Sequence, residues 1–402
     1  MRSTAPLKVA AGHRRRSLLA TVTAFLSVAF IGIALSPPAA AAPSRPDDTA
    51  AVGGTSAVVP VGVTAGIAVF DRQTGGFTEQ LNPSMQFRSA SIVKLLMALD
   101  YFWNRGSDDV VPAADRAWLE PMLRSSDDDA ASQYWSSHGY SSIVTRMRGN
   151  LGLSDTEPPG DPNFWGYTAI SARDTVTIYR YILEKAHAPV RNFIMDNLRQ
   201  STRCASDKFD QHFGIAGAFN RPWAVKQGWS GDSYPKGTCG PTSPVSPRAA
   251  AGVGPAAAAV DLTRPALHST GTVGVGDRSI VAVYTLHQPG TSYGKAFTDI
   301  GRLTRSLNVP GGVAPSGKWY GTWSSEVVVR SEPRIGDNAL TRLPAGVEVL
   351  VGCQKKGQSV SVPPYANDWW AYLPQYGGYI SNIYISHPDN RLPDVPLCSS
   401  PD

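Results

Sequence analysis

The spacing of apolar residues changes period several times along the chain, and each change marks an element. The run Gly66-Ile67-Ala68-Val69-Phe70-Asp71-Arg72 is nearly all apolar and reads as a strand. Gln73-Thr74-Gly75-Gly76 turns the chain, and residues 77–81 bring it back as a hairpin. From residue 91 to about 104 the pattern becomes helical. Residues 114–137 and 139–151 predict two more helices, and residues 171–184 another, with Ser171 placed to cap it ahead of Asp174. Between them, 154–167 is a Pro/Gly-rich loop. Ala224-Val225-Lys226 predicts a short strand, residues 268–276 and 279–287 a second hairpin, and 293–307 a closing helix. Strands, then helices, then strands, then a helix predict an α+β fold in which helices flank an antiparallel sheet. Val309-Pro310-Gly311-Gly312-Val313-Ala314-Pro315 interrupts every period. The residues after it show short strands, turn signals and no helical period, so a small all-β unit follows. The expected domains are 61–308 and 319–402, joined by a linker over 309–318.

Composition adds compartment and excludes partners. The 402 residues are 42% hydrophobic and 17% charged, which is globular. Arg2, Lys8, Arg14, Arg15 and Arg16 lie in residues 1–42 with no acid among them. Without those five the chain has 32 Lys and Arg against 32 Asp and Glu, so the net charge of +5 belongs to the leader. No basic stripe for nucleic acid is left. Residues 18–35 are apolar and Ala39-Ala40-Ala41-Ala42 offers small residues for cleavage, so 1–42 reads as an export signal cut after Ala42. Arg15-Arg16-Ser17-Leu18-Leu19 resembles a twin-arginine signal, and an ordinary Sec signal is basic there too. Residues 43–60 read as a flexible tether and 232–258 as a low-complexity insertion.

Four cysteines in an exported chain point to disulfides. Three pairings are possible, and proximity along the chain favours Cys204–Cys239 and Cys353–Cys398. Without C-x-x-C or H-E-x-x-H spacing, no metal and no other cofactor is expected. The product is a secreted or cell-wall-associated protein, expected to be a monomer.

Candidate chemistry starts at Ser91-Ile92-Val93-Lys94, where S-x-x-K spacing puts the lysine one helical turn after the serine. The helix is apolar on every side from Ile92 to Trp103, so it is predicted to be buried with Lys94 inside it. Desolvation favours a neutral amine, and a neutral amine beside a hydroxyl is a general base. Ser233/Lys236 and Ser292/Lys295 share the spacing, but the first lies in a Pro/Gly turn and the second opens an amphipathic helix.

Two later motifs, Ser126-Asp127-Asp128 and Lys226-Gln227-Gly228, complete a set. With Ser91/Lys94 they resemble the S-x-x-K, S-D-N and K-[ST]-G elements of the class A β-lactamase and penicillin-binding-protein superfamily, over roughly residues 60–308. The resemblance implies Ser91 as acylated nucleophile, Lys94 as its base and Ser126 as a proton relay to the leaving group. Lys226 would attract a substrate carboxylate and tune Ser126, and the N–H groups of Ser91 and Trp229 would form an oxyanion hole. Asp128, Gln227, Gly228 and Trp229 fall at its substrate-binding positions. Asp128 stands where the family has Asn, and a carboxylate there would hold Lys94 protonated or share its proton. Gln227 replaces the hydroxyl that binds a substrate carboxylate. Class A enzymes use a Glu in an E-x-x-L-N context to activate the deacylating water; here that context is absent and Glu157 and Asp161 are the acids at hand. The expected activity is D-alanyl-peptidase-like, on peptidoglycan or cell-wall peptide. A β-lactamase acting on a β-lactam is the alternative, and a non-catalytic wall-binding protein that keeps the fold is another.

At the C-terminus, Val327-Val328-Val329-Arg330-Ser331-Glu332-Pro333, Trp369-Trp370-Ala371-Tyr372 and Gly377-Gly378-Tyr379-Ile380 resemble a bacterial SH3-like domain. That implies a small barrel that binds cell wall, with one tryptophan of the pair in its core and Cys353–Cys398 stapling it.

Overall fold

The computed structural model describes residues 55–105, 110–231, 239–240 and 260–399. The expected export signal, most of the expected tether and nearly all of the expected 232–258 insertion lie outside them. The body opens with β1 (Thr64–Asp71), β2 (Gly76–Leu81) and the two-residue β3 (Phe87–Arg88). Then come α1 (Lys94–Arg105), α2 (Ala113–Arg124), α3 (Asp128–Ser137) and α4 (Ser142–Leu151). Two-residue β4 (Ala169–Ile170), α5 (Ala172–Arg180), α6 (Ala188–Arg199) and the single turn α7 (Ile215–Ala218) lead to β5 (Trp223–Ser230). The hairpin β6 (Ala266–Val273) and β7 (Ser279–Leu286) and helix α8 (Tyr293–Ser306) complete it.

Five strands form one antiparallel sheet in the order β2-β1-β7-β6-β5. Both faces are covered, so inner strands β1 and β7 are mostly apolar, and inner strand β6 buries His268, Ser269, Thr270 and Thr272 as well. Along β1, Ala68 and Phe70 face the core under α1–α6, while Ile67 and Val69 face the core under α8. Along β5, Ala224 faces the first core and Trp223 and Val225 the second. Period two then places Lys226 on the helix side and Gln227 on the α8 side.

The antiparallel sheet and flanking helices agree with the expected α+β body. Three details differ. The helix expected over 114–137 is two helices, because Ser126 takes a left-handed conformation (φ +57°) and Asp127 caps α3 by accepting from Ala130 N–H at 2.9 Å. Helix α6 begins at Ala188 and ends at Arg199, where no element was expected; Pro189 in its first turn suits a helix start but reads as a breaker. Strand β5 runs to Ser230, four residues past Lys226, because β6 pairs with it throughout.

The C-terminal segment is all β, as expected. Strands β8 (Lys318–Gly321) and β11 (Glu348–Val351) pair with each other. Strands β9 (Val328–Arg330), β10 (Ala339–Arg342), β12 (Cys353–Val362), β13 (Tyr365–Leu373) and β14 (Gly378–Ser381) form a sheet ordered β10-β9-β14-β13-β12. Trp370 is buried and donates its indole N–H to Gln358 O at 2.8 Å, while Trp369 is half-buried. Both disulfides join the pairs that proximity favoured, Cys204–Cys239 and Cys353–Cys398.

Strand β5 approaches the turn before α1 so closely that Gly228 has no room for a side chain. A Cβ there would meet Ser89 O at 3.0 Å and Ala90 Cβ and Ile92 Cγ1 at 3.3 Å. Gly228→Ala should therefore destabilise the fold by about 1–3 kcal/mol. Gly149→Ala, in α4 with open space around it, should be neutral or stabilising by about 0.5–1 kcal/mol. Urea midpoints of the two variants check the contrast.

Candidate active site

The site is assembled from three distant segments. A 3-10 turn over Ala90–Val93 leads into α1 and buries Ser91. The loop between α2 and α3 brings Ser126, and β5 brings Lys226. Ala90, just before Ser91, is left-handed (φ +45°), as Ser126 is. Each such residue costs on the order of 1 kcal/mol, and such backbone clusters at functional sites. No sequence pattern marks an alanine for that conformation.

Lys94 is wholly buried and donates to Ser126 O at 2.7 Å, Ser126 Oγ at 3.3 Å and Asp128 Oδ1 at 2.6 Å. Three acceptors use the three N–H bonds of an ammonium. Lys226 Nζ lies 2.8 Å from Ser126 Oγ and 3.3 Å from Gln227 O, and is also buried. The Ser126 hydroxyl thus sits between two dry amines.

Two positive charges so close together in a buried space oppose each other, although Asp128 and Asp207 favour charge on both lysines. Burial lowers the proton affinity of Lys94, and Asp128 counters it. Burial pushes Lys226 well below the ordinary lysine value, and the charge on Lys94 adds to that. The arrangement therefore favours an ammonium at Lys94, paired with Asp128, and a free amine at Lys226.

Ser91 opens onto a cleft of about 110 Å³, lined further by Asp128, Trp165, Tyr167, Asp207 and Trp229. Trp229 stacks flat on Phe209, with centroids 4.7 Å apart and planes at 6°, and its indole N–H donates to Asp207 Oδ2 at 3.2 Å. The Trp165 ring lies 4.8 Å from Lys94 Nζ.

Sequence motifs thus brought Ser91, Lys94, Ser126, Asp128, Lys226 and Trp229 to one place. Gln227 is not with them. It lies on the other face of the sheet and donates to Gln211 O and Phe213 O at 3.0 and 2.7 Å, so its side chain faces no substrate. Gly228 contributes close approach, not a contact group. Neither Glu157 nor Asp161 lines the cleft. Glu157 pairs with Arg148 at 2.6 Å, and Asp161 accepts from Asn163 N–H at 2.9 Å. Asp207 and Trp165 were missed, since Asp207 lies in a loop and Trp165 opens a short 3-10 turn, and only tertiary packing delivers either to the cleft.

Elsewhere, Thr285 Oγ1, His287 and Asp299 lie in line, at 2.9 and 3.8 Å. All three are buried, and the Thr285 hydroxyl donates to Leu267 O at 2.7 Å, so this line has neither a free nucleophile nor access. Among the described residues, no cluster of three or more His, Cys, Asp or Glu could hold a metal ion, and no helix is long and apolar enough to cross a membrane.

No family model matches the chain. Over 180 residues it is 36% identical to a protein named LppW, provisionally classed as a lipoprotein, in Mycobacterium tuberculosis and Mycobacterium bovis. The match covers 44% of this chain and 57% of those relatives, so the chain spans little more than half their length. Similar solved structures include PBP-A, at 14% identity over 61% of this chain and 89% of that one, with a TM-score of 0.42. They include an ancestral class A β-lactamase (16% identity, 61% of this chain, 93% of that one, TM-score 0.42). A class A β-lactamase from Mycobacterium abscessus is 17% identical over 61% of this chain and 92% of its own, with TM-score 0.42.

The lysine pair has a signature in solution. Both amines bind protons less readily folded than unfolded, where the value is 10.5. Unfolding therefore takes up protons between the lowered values and 10.5, so stability rises with pH across that window and falls as pH drops towards the folded-state values. A full proton contributes about 1.4 kcal/mol per pH unit. Urea midpoints from about pH 7 to about pH 9.5 should rise in the wild type and rise less in Lys226→Met. An equal rise would show Lys226 charged in the folded chain.

Proposed function

We propose that the chain is an exported acyl-enzyme hydrolase or acyltransferase of the S-x-x-K type, with Ser91 as nucleophile and cell-wall peptide as acyl donor. The observation that carries this reading is the Ser126 hydroxyl held between two buried lysine amines beside the cleft that Ser91 enters. The penicillin-binding-protein and β-lactamase neighbours agree with it in kind only. The disulfides, the leader motif and the lipoprotein name given to LppW all favour a place in the cell envelope or outside it.

The roles within the site shift from those the motifs imply. An ammonium at Lys94 has no lone pair to accept the Ser91 proton. The amine of Lys226 has one, and Ser126 lies against it. As Ser91 Oγ attacks the acyl carbonyl, its proton would pass through the Ser126 hydroxyl to Lys226; as the bond from that carbon to the leaving group breaks, the proton would pass from Lys226 through Ser126 to the leaving atom. Lys94 would supply fixed positive charge near the developing oxyanion, with the N–H groups of Ser91 and Trp229 as its hydrogen-bond donors. Gln227 faces away, so no hydroxyl at that position meets a substrate carboxylate, and Asp128 and Asp207 line the cleft. Acyl donors without a free carboxylate beside the scissile bond suit it better than penicillins or a terminal D-alanyl-D-alanine do, which narrows the D-alanyl-peptidase expectation to cell-wall peptide bonds away from a free C-terminus. With Glu157 and Asp161 engaged elsewhere, rapid hydrolysis of a β-lactam ester is not favoured.

A second reading has one specific observation behind it. Asp128 occupies Lys94 so fully that the chain would also serve as a wall-binding protein with an idle site. The C-terminal strands suit that role as well as targeting. We read them as SH3-like, with a cleft of about 130 Å³ lined by Val327, Trp370 and Tyr384 and with Trp323 and Tyr365 exposed beyond it.

Intact-protein mass after exposure to a penicillin and to an alkyl fluorophosphonate separates the readings. The expected result is a single adduct that disappears in Ser91→Ala. Lys226→Met should slow its formation by about 10²–10⁴-fold, the usual worth of a general base, and Asp128→Asn should slow it by a smaller factor, since it removes the carboxylate that favours the Lys94 ammonium. No adduct with either reagent would leave the wall-binding reading. Tyr384→Ala should weaken pelleting with insoluble peptidoglycan in either case; unchanged pelleting would remove the C-terminal cleft from consideration.

A further inference from the structure

The C-terminal strands grip the body at several points, and one grip reaches the wall of the Ser91 cleft. Along α8, a Cβ on Gly294 would lie 1.9 Å from Ala345 O, so the two segments touch backbone to backbone. Phe297 packs against both the body core and the C-terminal core. Glu348 pairs with Arg302 at 3.1 Å and with Arg305, and its N–H donates to Thr298 Oγ1 at 2.9 Å.

The second grip is Arg203. Its guanidinium pairs with Asp210 at 3.2 Å, donates to Gln375 O and lies 4.2 Å from the Tyr376 ring centre. Gln375 Nε2 in turn donates to Gly217 O. Asp210 is buried, its carboxylate accepts from His212 N–H at 3.0 Å, and its carbonyl accepts from Tyr293 Oη. The same stretch of chain meets β5 on both sides of that anchor. Gln211 O and Phe213 O hold the Gln227 amide, and Asp207 holds the Trp229 indole while lining the cleft. A third tie runs from Cys204 through its disulfide to Cys239, whose neighbour Gly240 donates to Thr341 Oγ1 at 3.1 Å.

We propose that Arg203 is a positioning residue for the Ser91 cleft, through which the C-terminal strands hold the 204–213 segment against β5. A largely buried ion pair is suited to this, because removing one partner leaves an uncompensated charge and the segment must move to rehydrate it. The C-terminal strands are then a working part of the cleft and not only an attachment. The consequence for catalysis rests on the acyl-enzyme reading; the mechanical link does not.

Hydrogen exchange resolved by segment, on the full chain, tests the link. Arg203→Met should speed exchange in 207–213 and 223–230 by about tenfold or more, with α2 and α3 unchanged. Tyr376→Leu keeps the Arg203–Asp210 pair and should loosen the same two segments by a smaller factor, so the test survives if Arg203→Met does not fold. Arg203→Lys should recover part of the protection. Loosening confined to 318–399, or a uniform rise over the whole body, would overturn the proposal. Where Ser91 reacts with the fluorophosphonate, Arg203→Met should lower the limiting acylation rate more than it weakens the preceding complex, and the opposite split would overturn the catalytic consequence. Exchange needs no substrate, so a Ser91 that proves unreactive would refute the acyl-enzyme reading and leave the exchange result decisive.

Discussion

Two lysine amines share one dry space on either side of the Ser126 hydroxyl, and a carboxylate is bonded to Lys94. Much at the site follows from that unequal placing of charge. Burial lowers the proton affinity of both, but Asp128 at 2.6 Å favours the proton on Lys94, while burial and the charge on Lys94 push Lys226 well below the ordinary lysine value. The dryness comes from the fold. Helix α1 is buried from Lys94 to Phe102, and Gly228 lets β5 close against the turn before it. A wetter helix or a bulkier strand would let water screen both amines, and the distinction between them would fade.

Much of this was legible in the sequence because it is carried by local period. A helix apolar on every side has to be buried, so a lysine within it has to be unusual. The parity of a strand was legible too. Adjacent residues of β5 point to opposite faces, which by itself separates Gln227 from Lys226, although motif spacing groups them together. The partner of Lys94 was harder. Asp128 stood out as an unexpected acid, but only the left-handed turn at Ser126 and the cap at Asp127 aim it at the amine. Asp207 and Trp165 left no trace, since a loop and a short turn are placed by contacts far away in the chain.

The C-terminal strands show a different limit. A Pro/Gly stretch announces that the chain has left one core, and it carries no information about whether the next core docks against the first. That docking is written in isolated residues. Gly294 opens an ordinary amphipathic helix, Glu348 follows a turn, and Arg203 precedes a cysteine. None of them belongs to a periodic pattern, yet they join the two cores through Phe297, the partly buried Glu348 and a guanidinium stacked on Tyr376.

The left-handed backbone at Ser126 sets function and stability against each other in a single residue. The turn there favours glycine, which adopts that conformation at no steric cost, but glycine has no hydroxyl to stand between the lysines. Serine keeps the hydroxyl and carries the strain. One substitution to glycine would relax the loop and remove that hydroxyl together. Under the acyl-enzyme reading proposed above, a lineage released from selection for chemistry would lose catalysis and gain a firmer fold in one step.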